Sequence, residues 1–493
     1  MWTCVCLCLA FIGAATAAIP AAKTASRVGG DFRTSTNNKL VEQEWKENVP
    51  LRTPIGVSTD GERLRHMPKQ YSGYFKLNRT HEAELFYLYY ESRGSPKEDP
   101  VVLWMTGGPG CSSLMAALGE NGPYHLEKNL TLTVNPYGWD RGHNLIYVDQ
   151  PVNTGFSYSN DPADEVTTEE GVANDMHNFL VEFFDAHPEL ADNDFYIAGE
   201  SYGGHYVPAV SYKVWTSNMS GKYANIPLKG FSIGNGLTDP SIQYAAYNDF
   251  AVQNKMIDQA TYEDIQQYVP NCKETINVCN YVKTPLVCEA AIGYCQTRIV
   301  NAILKAAGNV NVYDIRKQCT YKPLCYDFNY MSDYFNDPKV KKALGAKPFL
   351  SWKICSMKVN EAFIGDFMRD YAPLVPPMLQ DGIRVLLYAG RDDFICNYLG
   401  NSRWADALDW SGSSAYHHAP TLNYTMGGQP VGTIREAHNF AFMVIDEAGH
   451  MVPMDQPGPA YHMIRDFTSG AIAGGDPPPD VFWNGLGRQA SAI

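Results

Sequence analysis

The stretch DFYIAGESYGGHYVP, Asp194 to Pro208, decides how this chain folds. Phe195 to Ala198 is a short apolar run suited to a buried strand, and GHYVPAVSYKVW, from Gly204 onward, can begin a helix. Between them stands G-x-S-x-G, Gly199-Glu200-Ser201-Tyr202-Gly203, whose small flanking residues permit a strained turn that presents a serine hydroxyl. Glu200 is an odd neighbour for a group that becomes anionic as it attacks. Any reading of the site has to explain it.

Working outward, further β-rich runs end in glycine or polar turns: ELFYLYYES, PVVLWMTGG, NLIYVDQP, LKGFSIGNG and IRVLLYAGRDD. Helical spacing of apolar residues lies between several of them, as in GVANDMHNFLVEFFDAHPEL from Gly171. Strands alternating with helices predict an α/β fold, a mainly parallel sheet covered on both faces. Ligands then bind at the carboxyl ends of the strands, where these turns sit.

A nucleophilic serine needs a base, and the base needs an acid to orient it. LLYAGRDDF ends a strand with Asp392 and Asp393, and VIDEAGHMVPMDQP carries His450 on a loop after another apolar run. Ser, then Asp, then His is the chain order of the α/β-hydrolase fold. Backbone N–H donors for a tetrahedral oxyanion are expected from Tyr202 and from the glycine-rich turn TGGPGCSS, where Gly107 and Gly108 let the backbone approach closely. A phosphate loop is the rival for that turn, but its lysine is missing.

Bulk properties narrow the partners. The chain has 493 residues, 45% of them hydrophobic, and a formal net charge of -14. That acidity argues against nucleic acid or an anionic membrane, both of which favour a basic face. Residues 1–18, MWTCVCLCLAFIGAATAA, resemble a secretory signal peptide, although no Lys or Arg precedes the apolar run. Residues 19–65 are polar and fit a removable pro-segment or a flexible N-terminus. No membrane association is expected after signal cleavage, because no later run reaches about 18 apolar residues. Sequons at Asn78, Asn129, Asn218 and Asn423 fit a glycosylated protein of the secretory pathway.

The cysteines map the architecture. With Cys4, Cys6 and Cys8 removed in the signal, an odd number remains. Cys272, Cys279, Cys288 and Cys295 are separated by six, eight and six residues, which invites nested bridges Cys272–Cys295 and Cys279–Cys288. Cys319 and Cys325 can close a small loop, Cys111 and Cys355 can tie the main body to the end of the insertion, and Cys396 is left over. Zinc is the alternative, but C-x-x-C spacing is absent and the compartment is oxidising. The expected plan is a hydrolase core over 66–240 and 371–493, interrupted by a disulfide-stapled helical cap over 241–370.

Taken together, WMTGGPGCSS, NLIYVDQPVNTGFSYS, FYIAGESYGGHYVP, FSIGNGLTDP, YAGRDDFICNYLGN and AGHMVPMDQP make the chain resemble the serine carboxypeptidases, from about Tyr71 to Phe467. The resemblance implies a triad of Ser201, Asp393 and His450, with Asp393 preferred to Asp392 because it precedes the FICN segment. It implies an oxyanion hole from Gly108 and Tyr202. It places Trp104, Thr106, Gly107, Glu120 and Glu200 at the substrate's C-terminal carboxylate, and Cys396 and Met451 along the subsites. The family's disulfide plan matches the spacings above, including Cys111–Cys355 and an unpaired Cys396.

Two positions depart from the family's pattern. Thr106 stands where an asparagine is usual, and Arg391 where relatives often carry an acid, a cation able to lower the pKa of Asp393 or shift specificity. The function implied is release of C-terminal amino acids from peptides and proteins through an acyl-enzyme, with no metal or cofactor. Glu120 and Glu200 would share a proton at acidic pH to receive the substrate carboxylate. The destination is a lysosome, a vacuole or the exterior, and a homodimer is left open. Acyl transfer to a metabolite with the same triad, or protection of a partner hydrolase, are the alternatives.

Overall fold

A computed structural model describes residues 43–44, 68–78, 80–322 and 324–473. The expected signal and pro-segment, apart from Gln43–Glu44, lie outside the described residues. Eleven strands form one sheet. They are β1 (Gln43–Glu44), β2 (Gln70–Lys76), β3 (Glu84–Tyr90), β4 (Val101–Thr106), β5 (Asn144–Val148), β6 (Phe195–Glu200), β7 (Leu228–Gly234), β8 (Arg384–Gly390), β9 (Leu422–Met426), β10 (Gln429–Ala437) and β11 (Phe440–Ile445). Their order is β1-β2-β3-β5-β4-β6-β7-β8-β11-β10-β9. The block from β5 to β11 is parallel, and antiparallel strands flank it on both sides.

The central strands are apolar on both sides because both faces are covered. In β4, Leu103 and Met105 join one buried cluster with the helices Glu169–Ala186 and Gly203–Ser220. Val102 and Trp104 join the other, with the helices Leu114–Gly119 and Pro457–Thr468. The antiparallel edge β9–β10 gives no clean run in the sequence, since β10 is half-exposed and pairs through backbone bonds that side-chain patterning does not report.

Between β7 and β8 the chain is largely helical. Cys272–Cys295 and Cys279–Cys288 join the helices Val269–Val282 and Pro285–Cys295. These cysteines form a third core with Ile276, Ile299 and Ile303 that also takes in Phe394 and Cys396. Cys319 bonds Cys325, and Cys111 bonds Cys355, which anchors the loop following β4. Gln296–Val300 winds as a wider π-turn before the helix Asn301–Ala307.

Candidate active site

Ser201 sits between β6 and the helix Gly203–Ser220 with φ at +65°, a left-handed conformation held by backbone bonds. Its N–H donates to Gly234 O at 3.1 Å, and its C=O accepts from Gly204 N at 2.9 Å and Leu237 N at 3.0 Å. Close packing explains the flanking glycines: a Cβ on Gly199 would lie 2.7 Å from Met105 O. On the facing turn, a Cβ on Gly107 would lie 2.4 Å from Tyr202 N. The two glycine turns therefore abut at Gly107 and Tyr202.

Asp393 and His450 meet at the ends of β8 and β11, with His450 Nδ1 donating to Asp393 Oδ2 at 2.8 Å. Asp393 is fully buried and further accepts from Asn235 Nδ2 at 2.8 Å, Cys396 N at 3.2 Å and, through Oδ1, Ile395 N at 3.1 Å. Asp392 is instead partly exposed and faces Arg316 at 3.4 Å. His450 Nε2, on the other side of the ring, is buried without a partner. Arg391 pairs with Asp446 and covers the Tyr398 ring, so its charge is not among the partners of Asp393.

Several positioning groups carried no role in the sequence reading. Asn235, at φ +40°, accepts from Gly390 N at 3.0 Å while donating to Asp393, so it locks the acid to the end of β8. Its signal was a polar residue in the glycine turn ending a strand. The hairpin of Val310–Asn311 and Asp314–Gln318 clamps both loops: Val312 O accepts from Ile395 N at 3.0 Å, and Tyr313 O from His450 N at 2.7 Å. Asp455 accepts from Gly449 N at 2.8 Å. These are long-range contacts of short segments, which local patterning does not encode.

Glu200 ends β6 and Glu120 follows the helix Leu114–Gly119; both are buried, and their carboxyls face each other. As two carboxylates they would have no donor: Glu120 Oε1 and Oε2 and Glu200 Oε2 are all unpartnered. A single shared proton removes that conflict. Burial, then the facing Glu120 charge, pushes Glu200 well above the usual carboxylate range, and burial pushes Glu120 up as well. Parallel register sets Thr106 beside Glu200, and Trp104 Nε1 donates to Thr106 Oγ1 at 3.0 Å, leaving the threonine proton available to an acceptor. Met451 is buried next to His450. Cys396 is unpaired and buried, and burial, then the Asp393 charge, pushes its thiol well up.

Of the sequon asparagines, Asn78 and Asn129 are exposed, whereas Asn218 and Asn423 are half-buried. Asn218 brackets Ile226, donating to its O at 2.7 Å and accepting from its N at 3.0 Å. Among the described residues no helix is long and apolar enough to cross a membrane, and no group of three or more His, Cys, Asp or Glu is placed to hold a metal ion.

Residues 62–470 match the family described as serine carboxypeptidase. Serine carboxypeptidase 3 of Hordeum vulgare is 46% identical over 402 residues, covering 82% of this chain and 78% of that protein. Serine carboxypeptidase S10 family member 1 of Dictyostelium discoideum is 39% identical over 400 residues, covering 81% and 94%. The crystal structure of a prohormone-processing carboxypeptidase from Saccharomyces cerevisiae superposes with a TM-score of 0.74 at 25% identity, covering 82% of this chain and 92% of that one. Sequence motifs, sheet order and relatives thus agree, and the chain belongs to the serine carboxypeptidase family, serine-type hydrolases that act on peptides.

Proposed function

We propose that this enzyme releases C-terminal residues from peptides by an acyl-enzyme route that works best in acid. His450 Nε2 takes the Ser201 proton as Oγ attacks the last peptide carbonyl, while Asp393 holds the imidazole tautomer and stabilises the imidazolium. The developing oxyanion is received by the amides of Gly108 and Tyr202, which are fixed in advance by the abutting glycine turns. Collapse expels the C-terminal amino acid, whose amine takes the proton from His450. Water activated by the same imidazole then frees the acyl chain from Ser201.

The observation that carries the exopeptidase reading is the buried, donorless Glu120–Glu200 pair beside Ser201. Holding one proton, it offers an O–H to the substrate's terminal carboxylate, and Thr106 adds a hydroxyl. Both carboxyls are raised, so the proton is present at low pH and binding weakens as pH rises through the raised titration. Trp104 and Gly107 shape the same wall, and Cys396 and Met451 line the subsites. The relatives, named as carboxypeptidases, favour peptide cleavage over acyl transfer to a metabolite. The signal-like N-terminus and the bridged cysteines support passage through the secretory pathway.

The test follows a peptide library, each member as free acid and as C-terminal amide, by mass spectrometry at about pH 5 and about pH 7. Stepwise loss from free acids, strongest at the lower pH, is expected. Equal cleavage of amides, or internal cuts, would overturn the assignment.

A further inference from the structure

Behind the elbow lies a second pair of buried acids that the steps above leave unused. Glu169, first residue of the helix Glu169–Ala186, is fully buried, and both its carboxyl oxygens lack a donor. Asp366, equally buried after the helix Met357–Ala362, accepts from the Tyr202 hydroxyl at 3.0 Å and from the Tyr371 hydroxyl at 3.0 and 3.1 Å. Burial and the Asp366 charge push Glu169 well up, and burial pushes Asp366 up against the hydroxyls of Tyr371 and Tyr202 and the charge of Arg369.

The other groups facing the pair do not neutralise it. Tyr206, on the helix Gly203–Ser220, faces both acids and stays protonated. His205 on the same helix is held neutral, because burial lowers its pKa to about 4. Among the described residues, the cation acting on Asp366 is the half-buried Arg369, and none acts on Glu169. Two buried carboxyls that feel each other's charge favour a state in which at most one of them is ionised.

What distinguishes this pair is its attachment. Tyr202 supplies one of the two proposed oxyanion amides, and its ring is stacked on His205 at 4.3 Å and set edge-on to Tyr206 at 5.1 Å. The hydroxyl is the polar handle of that ring, and Asp366 holds it. We propose that Asp366 is a positioning residue for the oxyanion hole, fixing the Tyr202 side chain through its hydroxyl and through it the Tyr202 amide, with the buried carboxyl of Glu169 as the neighbour whose charge opposes that of Asp366. This rests on the reading of Ser201 and Tyr202 given above. When both carboxyls are ionised, two buried charges repel. Asp366 then relaxes toward water and releases the hydroxyl, so turnover falls while the carboxylate-binding end is untouched.

The test measures kcat and KM across pH for an N-acyl amino-acid ester, which has no terminal carboxylate, and for the matching free-acid peptide. In the native enzyme kcat for the ester falls on the alkaline side with KM unchanged. Glu169→Gln flattens that fall, since Asp366 then has no second buried charge beside it. Tyr202→Phe and Asp366→Asn each lower ester kcat about tenfold, and together they lower it no further, as expected for one shared interaction. An ester kcat profile identical in Glu169→Gln and the native enzyme overturns the proposal, as do additive losses in the double variant. Should Glu169→Gln fail to fold, the double-variant cycle decides alone. Failure of the underlying reading looks different: ester hydrolysis would then survive Ser201→Ala.

Discussion

Glu200 ends β6 and Asp393 follows β8, strands of one sheet separated by β7, and the two are almost equally buried, at 2% and 0% exposure, yet they live in opposite surroundings. Asp393 accepts hydrogen bonds from Asn235, Ile395, Cys396 and His450, all donors aimed at a carboxylate. Glu200 faces another carboxyl and has no donor of its own at Oε2. Burial alone therefore does not decide what a carboxyl does: the donors around it do. One region surrounds a carboxyl with donors beside a histidine; the other, in the function proposed here, keeps a proton beside a serine.

The strongest way to break this contrast is to spoil the charged side. Asp393→Asn offers an amide where His450 Nδ1–H needs a carboxylate, and ester kcat should fall about ten-thousandfold with KM nearly constant. Next is Asn235→Leu, which leaves Asp393 Oδ2 short of its side-chain amide donor. Losing a hydrogen bond to a buried charge costs about 2 kcal/mol, so kcat should drop about 30-fold, read in the same assay.

On the protonated side, Glu200→Gln supplies a permanent N–H donor. KM for free-acid peptides, which in the native enzyme should rise about tenfold from about pH 5 to about pH 7, should become flat. The sign follows from the raised carboxyls: protonated and binding below their titration, ionised and repelling above it. A pH dependence of KM unchanged in Glu200→Gln would show that the pair does not receive the substrate. Smallest is Arg391→Ala. Its pair with Asp446 is about two-fifths exposed on each side, so thermal stability should change by less than about 1 kcal/mol and kcat hardly at all.

The strands that build the parallel block were legible because each is a compact apolar run ending at a turn, and burial on both faces leaves that trace in composition. The half-exposed edge strands left none. The elbow was legible because Gly199 and Gly203 bracket Ser201, and the structure shows the space they leave filled by Met105 O on the facing strand. Asn235 was not, since a turn asparagine has many ordinary reasons to exist. Its distinction is a bond to Asp393 across 158 residues.

The sequence by itself determined the alternation of strands and helices, the order of serine, acid and histidine, and the presence of a glutamate at the elbow, because these are local patterns or chain order. The family resemblance already preferred Asp393 to Asp392 and paired Glu120 with Glu200; only the tertiary structure showed that Trp104 donates to Thr106. It also set Glu169 and Asp366 behind Tyr202. Each of these depends on which buried groups meet across the fold, where one donor more or less weighs on whether a carboxyl holds a charge or a proton.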